Sequence, residues 1–461
     1  MPCGFSIPDI LGRVAPSRPA ILDDGATGWI RYGALATRVA AAARRLACPR
    51  RSLVFLPVAN RVDGVVAYLG LLAAGHVPAL LDPALPAGLM AALAARYRPA
   101  RLIGAPGEER LEGADDGPIL HPELGLLLST SGSTGSPKMV RLGLGALGHN
   151  TGAIVEALRL GPNDRAAAHL PLHYAFGLSV LNTHLAAGAS LVLTERTLLE
   201  QGFWDRLRDT GCTSLAVTPF HMEILDRLGL DRVAPPTLMV ITQAGGRLAP
   251  DRAERIHRLM AARGGRFYVM YGQTEAAPRL ATLPPERFAG HAGSVGLPLA
   301  DGRFVILDGH GRSLPAGQIG QVHYQGPNVM MGYACGPDDL ALGDVMGGRL
   351  PTGDLGYLDA DGFLYLTGRA NRYAKIAGRR ISLDEVEGMA ETTGPLAVVE
   401  TDGRLLVVVQ GGDADDLDGL RRRLARRLRL PAAALRTRAV DSLPVTAKGK
   451  VDYRRLAEEG A

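Results

Sequence analysis

Short apolar runs of strand length, separated by segments of helical length, constrain this chain's fold more than any other feature. Leu53 to Leu56, Leu124 to Leu128, Ser190 to Leu193, Leu215 to Val217, Leu238 to Ile241 and Phe267 to Met270 read as buried strands. Between them lie amphipathic stretches such as Tyr32 to Leu46 and Asp251 to Ala262. This alternation predicts an α/β protein whose parallel sheets carry helices on both faces. Beyond about Gly290 the texture changes to short segments broken by glycine turns, Leu307-Asp-Gly, Pro315-Ala-Gly and Asp359-Ala-Asp-Gly362, which predicts a β-rich subdomain of hairpins. Gly368-Arg-Ala-Asn-Arg372 then opens a final segment of small-domain size. A chain of 461 residues is too long for one compact core. The expected organisation is a large N-terminal domain of parallel sheets flanked by helices plus the β-rich subdomain (1–368), and a small α+β C-terminal domain (369–461).

One apolar run empties into a loop of hydroxyls and glycines, Leu126-Leu-Leu-Ser-Thr-Ser-Gly-Ser-Thr-Gly-Ser-Pro-Lys138. Gly132 and Gly135 let the backbone turn its N–H groups inward. Ser129, Thr130, Ser131, Ser133 and Thr134 add hydroxyl donors, and Lys138 adds a positive charge. Such a loop suits a polyphosphate, and the strand before it and the lysine after it weigh against a plain surface loop. It is not a Walker loop, because Ser136 and Pro137 separate Gly135 from Lys138 and no Ser or Thr follows the lysine.

Composition excludes several other classes. A net charge of +5 is too small at this length to argue for nucleic acid. The basic tract Arg421-Arg-Arg-Leu-Ala-Arg-Arg-Leu-Arg429 carries Leu417, Leu420, Leu424 and Leu428 at helical spacing, so its arginines read as the wet face of a packed helix. Cys3, Cys48, Cys212 and Cys335 form no C-x-x-C pair, which disfavours a disulfide framework or zinc site and fits a reducing cytoplasm. No signal peptide is evident at the start of the sequence. The uncharged run from Gly64 to Leu81 is interrupted by Gly75-His-Val-Pro78 and reads as a core helix, a turn and a buried strand rather than a membrane span.

The Ser/Gly loop resembles the phosphate loop of the AMP-forming acyl-adenylating superfamily, which includes acyl- and aryl-CoA synthetases, adenylation domains and luciferases. Further elements follow in that superfamily's order. Tyr271-Gly-Gln-Thr-Glu275 is similar to its Y-G-x-T-E element, implying that Tyr271 packs on adenine beside Gly272 and Gln273, Thr274 bonds a phosphate and Glu275 holds Mg²⁺. Thr352-Gly-Asp354 resembles the T-G-D element, whose aspartate accepts from the ribose hydroxyls. Gly368-Arg369 resembles the start of the hinge, with Arg369 near ribose or phosphate and Asn371 standing where relatives have aspartate or lysine. Pro444-Val-Thr-Ala-Lys-Gly-Lys450 resembles the carboxy-terminal element whose lysine is catalytic, implying that role for Lys450. Ala244-Gly245-Gly246 sits where the superfamily's adenine-contacting glycines follow a strand. Trp29-Ile-Arg-Tyr-Gly-Ala-Leu35 and Gly75-His-Val-Pro-Ala-Leu-Leu-Asp82 are weaker landmarks of the same resemblance.

Leu170-Pro-Leu-His-Tyr-Ala-Phe-Gly-Leu178 resembles the segment that borders the acyl pocket. It implies Tyr174 as the pocket-facing aromatic with His173 as the alternative, and Phe176, Gly177, Phe220, Met222, Ala244, Ala276 and Ala277 as neighbours. Adenylation domains for α-amino acids have an aspartate here, and Leu170 to Asn182 contains no acid, so an apolar or aromatic carboxylic acid is expected. Ala377-Gly-Arg-Arg-Ile-Ser-Leu-Asp-Glu-Val-Glu387 resembles the pantetheine tunnel, implying Lys375 and Gly378 beside the thiol. The resemblance therefore implies an ATP- and Mg²⁺-dependent ligase that forms an acyl- or aryl-adenylate with release of pyrophosphate. The acyl group would pass to CoA or to a carrier-protein phosphopantetheine. An amide ligase passing the acyl-AMP to an amine, and a silent nucleotide-binding regulatory module, are the alternatives. No nucleic-acid partner and no membrane span are expected.

Overall fold

The computed structural model describes all residues except 1–6, 26–27, 105–106, 111–116, 130–137, 370–371, 377–378, 391, 393, 412, 447–450 and 461. The chain divides into two compact units, Met1–Arg303 with Tyr324–Leu350, and Phe304–His323 with Pro351–Ala461.

The first unit holds two large sheets. In the seven-stranded sheet, Leu53–Pro57 lies centrally between Val77–Leu81 and Arg101–Gly104, and Val77–Leu81 in turn pairs with Leu124–Ser129. These four strands are parallel, and the apolar runs of Leu53–Pro57, Val77–Leu81 and Leu124–Ser129 follow from burial on both faces, whereas Arg101–Gly104 is half-buried. On one side the sheet continues antiparallel through Met139–Gly143 to Gly332–Ala334. The nine-stranded sheet has a parallel centre of Pro19–Leu22, Ser190–Leu193, Arg165–Ala168, Ser214–Val217, Val240–Gln243 and Arg266–Gly272. Its far side turns antiparallel at Arg279–Leu283 and Leu297–Pro298.

The sequence-predicted strands and helices appear within a residue or two, and Tyr32–Leu46 is a helix over the predicted range. The run from Gly64 to Leu81 is a helix Val62–Ala73, a turn and the strand Val77–Leu81, as expected. The parallel sheets, however, carry antiparallel margins. Beside the candidate site the chain doubles back antiparallel on a parallel strand in both sheets, Met139–Gly143 on Leu124–Ser129 and Arg279–Leu283 on Arg266–Gly272.

The second unit carries most of a four-stranded sheet ordered Arg303–Leu307, Gly320–Gln325, Arg349–Leu358 and Leu364–Arg369. It also contains the hairpin of Tyr373–Ile376 and Arg379–Ser382, and a three-stranded sheet. In the latter, Arg404–Gln410 pairs antiparallel with Leu396–Thr401 and parallel with Leu435–Val440, across a connection that holds the helix Ala414–Leu428. Leu420 and Leu424 are buried in the core, with Leu417 and Leu428 packed against it. The arginine-rich tract is thus the outer face of a core helix. Among the described residues no helix is long and apolar enough to cross a membrane.

Candidate active site

The Ser/Gly loop from Thr130 to Gly135 lies outside the described residues, but both of its ends are fixed. Leu124–Ser129 is buried and delivers Ser129 to the sheet margin, where Ser129 stands opposite Met139 on the returning strand. Lys138 therefore emerges beside Ser129. Its Nζ lies 3.7 Å from the centroid of the Tyr333 ring. Tyr333 sits on Gly332–Ala334, which pairs with the lysine's own strand in a register that places Tyr333 opposite Val140.

The Tyr333 hydroxyl donates to Glu275 Oε1 at 2.8 Å. One phenol thus joins the two charged residues that sequence reasoning had named separately. Burial first, and then the Glu275 charge, push the Tyr333 pKa well above the ordinary tyrosine value, so it remains a donor. Tyr333 was not anticipated, because the sequence shows only an unremarkable Gly-Tyr in a short segment.

Glu275 lies in a 3₁₀ turn, Thr274–Ala276, after the buried strand Arg266–Gly272. The segment is tied down from several sides. Gln273 N donates to Pro278 O at 2.8 Å, and Met330 N donates to Glu275 O at 2.9 Å. Two buried asparagines complete the clamp. Asn328 Nδ2 donates to the carbonyls of Ala276 and Arg279, and Asn150 both donates to Arg279 O and accepts from Arg279 N. Tyr271 and Ala276 are buried, and Gly272 approaches the Pro278 carbonyl so closely that a Cβ there would lie 2.3 Å from it.

On the neighbouring parallel strand, Val240–Gln243 ends at Ala244-Gly245-Gly246. Gly245 has φ +90°, and a Cβ at this position would meet the Tyr174 hydroxyl at 2.6 Å, so glycine is required on both counts. Tyr174 caps the start of the helix Ala175–Ala186 and is buried, with its ring edge-on to Phe176 at 6.4 Å between centroids. Gly177 closes against the carbonyls of Leu170 and Pro171. Met222 is buried on its own helix, whereas Phe220 is exposed. His173 is buried, with Nε2 3.6 Å from Asp82 Oδ2. The segment from Leu170 to Asn182 has no acid of its own, but the fold brings Asp82 to it from the end of Val77–Leu81, which sequence spacing could not reveal.

Arg279, four residues beyond Glu275, was also missed. It is buried at 2% exposure, its guanidinium lies 4.7 Å from the Phe176 ring centroid, and its Nε has no hydrogen-bond partner. Burial pulls its pKa down to about 10, opposed weakly by Tyr174.

In the second unit, Thr352-Gly-Asp354 lies on Arg349–Leu358, with Gly353 at φ +75°. Thr352 Oγ1 donates to Val322 O and accepts from Asp354 N. Asp354 stands opposite Arg369 in the antiparallel pair, and Arg369 Nε reaches Asp354 Oδ1 at 2.9 Å. Two motifs separated in sequence are thus one ion pair. Asn371, Gly378 and Lys450 lie outside the described residues, and Lys375 is placed by its backbone opposite Arg380. Arg372, next to Asn371, is held by Asp384, by Glu387 at 2.9 Å and by the Tyr453 ring at 3.7 Å.

Residues 118–334 match the family described as AMP-binding enzyme. The chain is 32% identical over 352 residues to a probable CoA ligase of Humulus lupulus, a match covering 73% of this chain and 66% of that one. It is 35% identical to the sulfoacetate–CoA ligase of Cupriavidus necator, covering 57% of this chain and half of that enzyme's length. With the 2-succinylbenzoate–CoA ligase of Geobacillus kaustophilus it shares 31% identity, covering 72% of this chain and 69% of the relative. The fold is that of the O-succinylbenzoate coenzyme A synthetase from Bacillus subtilis in complex with AMP, with a TM-score of 0.79 at 22% identity over 98% of both chains. Sequence relatives that extend over most of the chain, together with the ordered motifs, show that it belongs to the AMP-forming acyl-adenylating superfamily.

Proposed function

We propose that this protein is an acid–thiol ligase. It joins a carboxylic acid to ATP, forming an acyl- or aryl-adenylate and pyrophosphate, and passes the acyl group to CoA or to a carrier-protein phosphopantetheine. The arrangement of Glu275, Tyr333 and Lys138 at the mouth of the Ser/Gly loop carries this reading. It gathers a carboxylate, a hydroxyl donor and a cation where a polyphosphate would be gripped.

In the first step a carboxylate oxygen attacks the α-phosphorus, and the bond from that phosphorus to the pyrophosphate oxygen breaks. Both reactants are anionic, so catalysis is chiefly charge compensation and alignment. Lys138 and the loop hold the phosphates, Tyr271 and Ala244-Gly245-Gly246 border the adenine, and Thr274 bonds a phosphate oxygen. Asp354, positioned by Arg369, accepts from the ribose hydroxyls. Lys450 supplies positive charge to the two reacting anions.

Magnesium fits as an ion shared with the nucleotide. Among the described residues no group of three or more His, Cys, Asp or Glu side chains forms a protein cage, and a magnesium that keeps phosphate and water ligands needs only one carboxylate. Glu275 would hold it, and the ion supplies neutralisation of phosphate charge. In the second step a thiol attacks the acyl carbon and AMP departs, with Lys375 and Gly378 beside the thiol and Asn371 at the hinge, at the boundary proposed between 368 and 369. Relatives named as CoA ligases for indoleacetate, 2-succinylbenzoate and oxalate support a thiol acceptor. The cytoplasm, where ATP and CoA are supplied, is the proposed compartment.

The test is pyrophosphate release from ATP and Mg²⁺ with a panel of aliphatic, aryl and dicarboxylic acids, each run without acceptor, with CoA, and with an amine. Acid-dependent release that becomes catalytic with CoA is the expected outcome. Release that turns over only with the amine would replace the thiol step by amide formation, and silence across the panel with ATP still bound would favour a regulatory nucleotide-binding role.

A further inference from the structure

Arg279 is, among the described residues, a guanidinium without a counter-charge. Among the described residues it forms no ion pair, its Nε has no hydrogen-bond partner, and it is 2% exposed. A charge taken out of water at such depth is costly unless something balances it. What faces it is aromatic: the Phe176 ring at 4.7 Å, with Tyr174 edge-on to that ring at 6.4 Å between centroids. A ring face offsets part of that cost and cannot complete the planar donor set of a guanidinium. The backbone around Arg279 is meanwhile over-determined, since Asn150 and Asn328 bind its N–H and carbonyl. The residue is therefore held in place by its own main chain while its buried Nε remains without a partner.

We propose that Arg279 receives a second anionic group, a carboxylate or a sulfonate, on the acid that this site activates. The inference rests on the ligase function proposed above and narrows its substrate class from carboxylic acids in general to dianionic ones. One carboxylate reacts at the α-phosphate. The other end of the molecule runs past Tyr174 and Phe176 and closes on the guanidinium, whose fork geometry suits two oxygens of one planar or pyramidal anion. An apolar or aromatic spacer between the two anions is compatible with the aromatic walls. Arg279 is thus a specificity-determining residue, and it leaves the reacting atoms to others.

The experiment compares matched pairs in the pyrophosphate assay: glutarate with pentanoate, adipate with hexanoate, isophthalate with 3-methylbenzoate, and 3-sulfopropanoate with butanoate. Wild-type protein should favour the dianionic member of at least one pair by about tenfold or more in kcat/KM, because losing it leaves buried donors unmet. Arg279→Met keeps the length and buries well. It should invert that preference while holding kcat/KM for the monoanionic member within about threefold. Arg279→Lys should retain part of the preference. Wild-type preference for the monoanion in every pair overturns the proposal. An equal loss on both members in Arg279→Met also overturns it, since Arg279 would then serve ATP, the reacting carboxylate or the fold. Should Arg279→Met fail to fold, stabilisation of wild-type protein by the diacid over its isostere, in thermal melts with AMP present, decides the same question. Silence from both members of every pair, with ATP binding intact, strikes the ligase reading itself and is thereby distinguishable.

Discussion

Tyr333 shows how a single hydroxyl can couple two charges. It touches Lys138 through its ring face and Glu275 through its oxygen, so the two contacts separate under substitution. Tyr333→Phe keeps the ring beneath the ammonium and deletes the donor to the carboxylate. A hydrogen bond to a charged group contributes about 1.5–3 kcal/mol. The expected result is a rise of about tenfold in the Mg²⁺ concentration giving half-maximal pyrophosphate release, with a smaller change in protein stability. Tyr333→Leu should be worse, because the contact under Lys138, about 0.5–2 kcal/mol, goes as well. An unchanged Mg²⁺ titration in Tyr333→Phe would remove the link between this phenol and metal-dependent chemistry. Nothing in the sequence advertised the residue, since it stands 58 positions from Glu275 and on a strand of three residues. Glu275 and Lys138 were legible because each belongs to a motif whose local chemistry is self-explanatory. Tyr333 and Arg279 matter only through neighbours supplied by the fold.

At the scale of elements, the strand-to-turn segment Arg266–Gly272 through Ala276 is rigid because side chains from elsewhere satisfy its backbone. Asn150, on the helix Leu144–Leu158, makes two such bonds to Arg279. Asn150→Ala removes the side-chain acceptor of the buried Arg279 N–H, while the Arg279 carbonyl keeps Asn328 Nδ2, and should cost about 1–3 kcal/mol, seen as a lower Tm and a raised KM for ATP together. A lower Tm with unchanged kinetics would confine the clamp to stability. A second element-level device is the histidine pair behind the nine-stranded sheet. His169 and His221 lie 4.9 Å apart between ring centroids, and burial pulls His169 down to about 4 and His221 to about 3, the latter lowered further by the neighbouring His169. His221 Nδ1 accepts from Thr218 N, which further requires the neutral ring. Both native values lie below the ordinary histidine value of 6.5. Below pH 6.5 the unfolded chain takes up protons that the native pair refuses, so stability present above that pH is lost as pH falls toward 4. Thermal melts from pH 7.5 down to 4.5 should show a falling Tm, less steep in His221→Gln, and a flat profile in wild-type protein would contradict the assignment. The elements themselves were readable because buried parallel strands have no polar face to obscure them. Their antiparallel margins were not, since Met139–Gly143 and Arg279–Leu283 are as buried as the strands they pair with, and strand direction leaves no mark in such short segments.

For the whole molecule, the sequence indicated two bodies through a change of texture, from long alternating elements to short hairpins, and the fold has two compact units. The contact division assigns Phe304–His323 and Pro351–Ala461 to the second, so the hairpin sheet lies mostly with the C-terminal segment. Packing of the hairpins was invisible in sequence because glycine turns specify where strands reverse and not which core they cover. The chemistry should divide along different lines from the packing, because two half-reactions need different residues at one acyl group. In the role proposed for Lys450, Lys450→Ala would remove the charge that offsets two approaching anions. Loss of one such group typically lowers kcat by about 10²–10³. Acid-dependent pyrophosphate release should therefore fall by that order, while the Kd for ATP, measured by equilibrium titration, stays within about threefold. Supplied with pre-formed acyl-AMP and CoA, the same variant should form thioester at close to the wild-type rate. Gly378→Leu should show the converse, near-normal adenylate formation with thioester formation reduced by about tenfold or more, since a branched side chain there would obstruct a thiol arm. If both substitutions depress both half-reactions equally, the two residues act on a shared feature and the assignment of one step to each is wrong. If each spares the step assigned to the other, the carboxy-terminal segment serves both reactions through separate residues, and Asn371 at the hinge position is compatible with both.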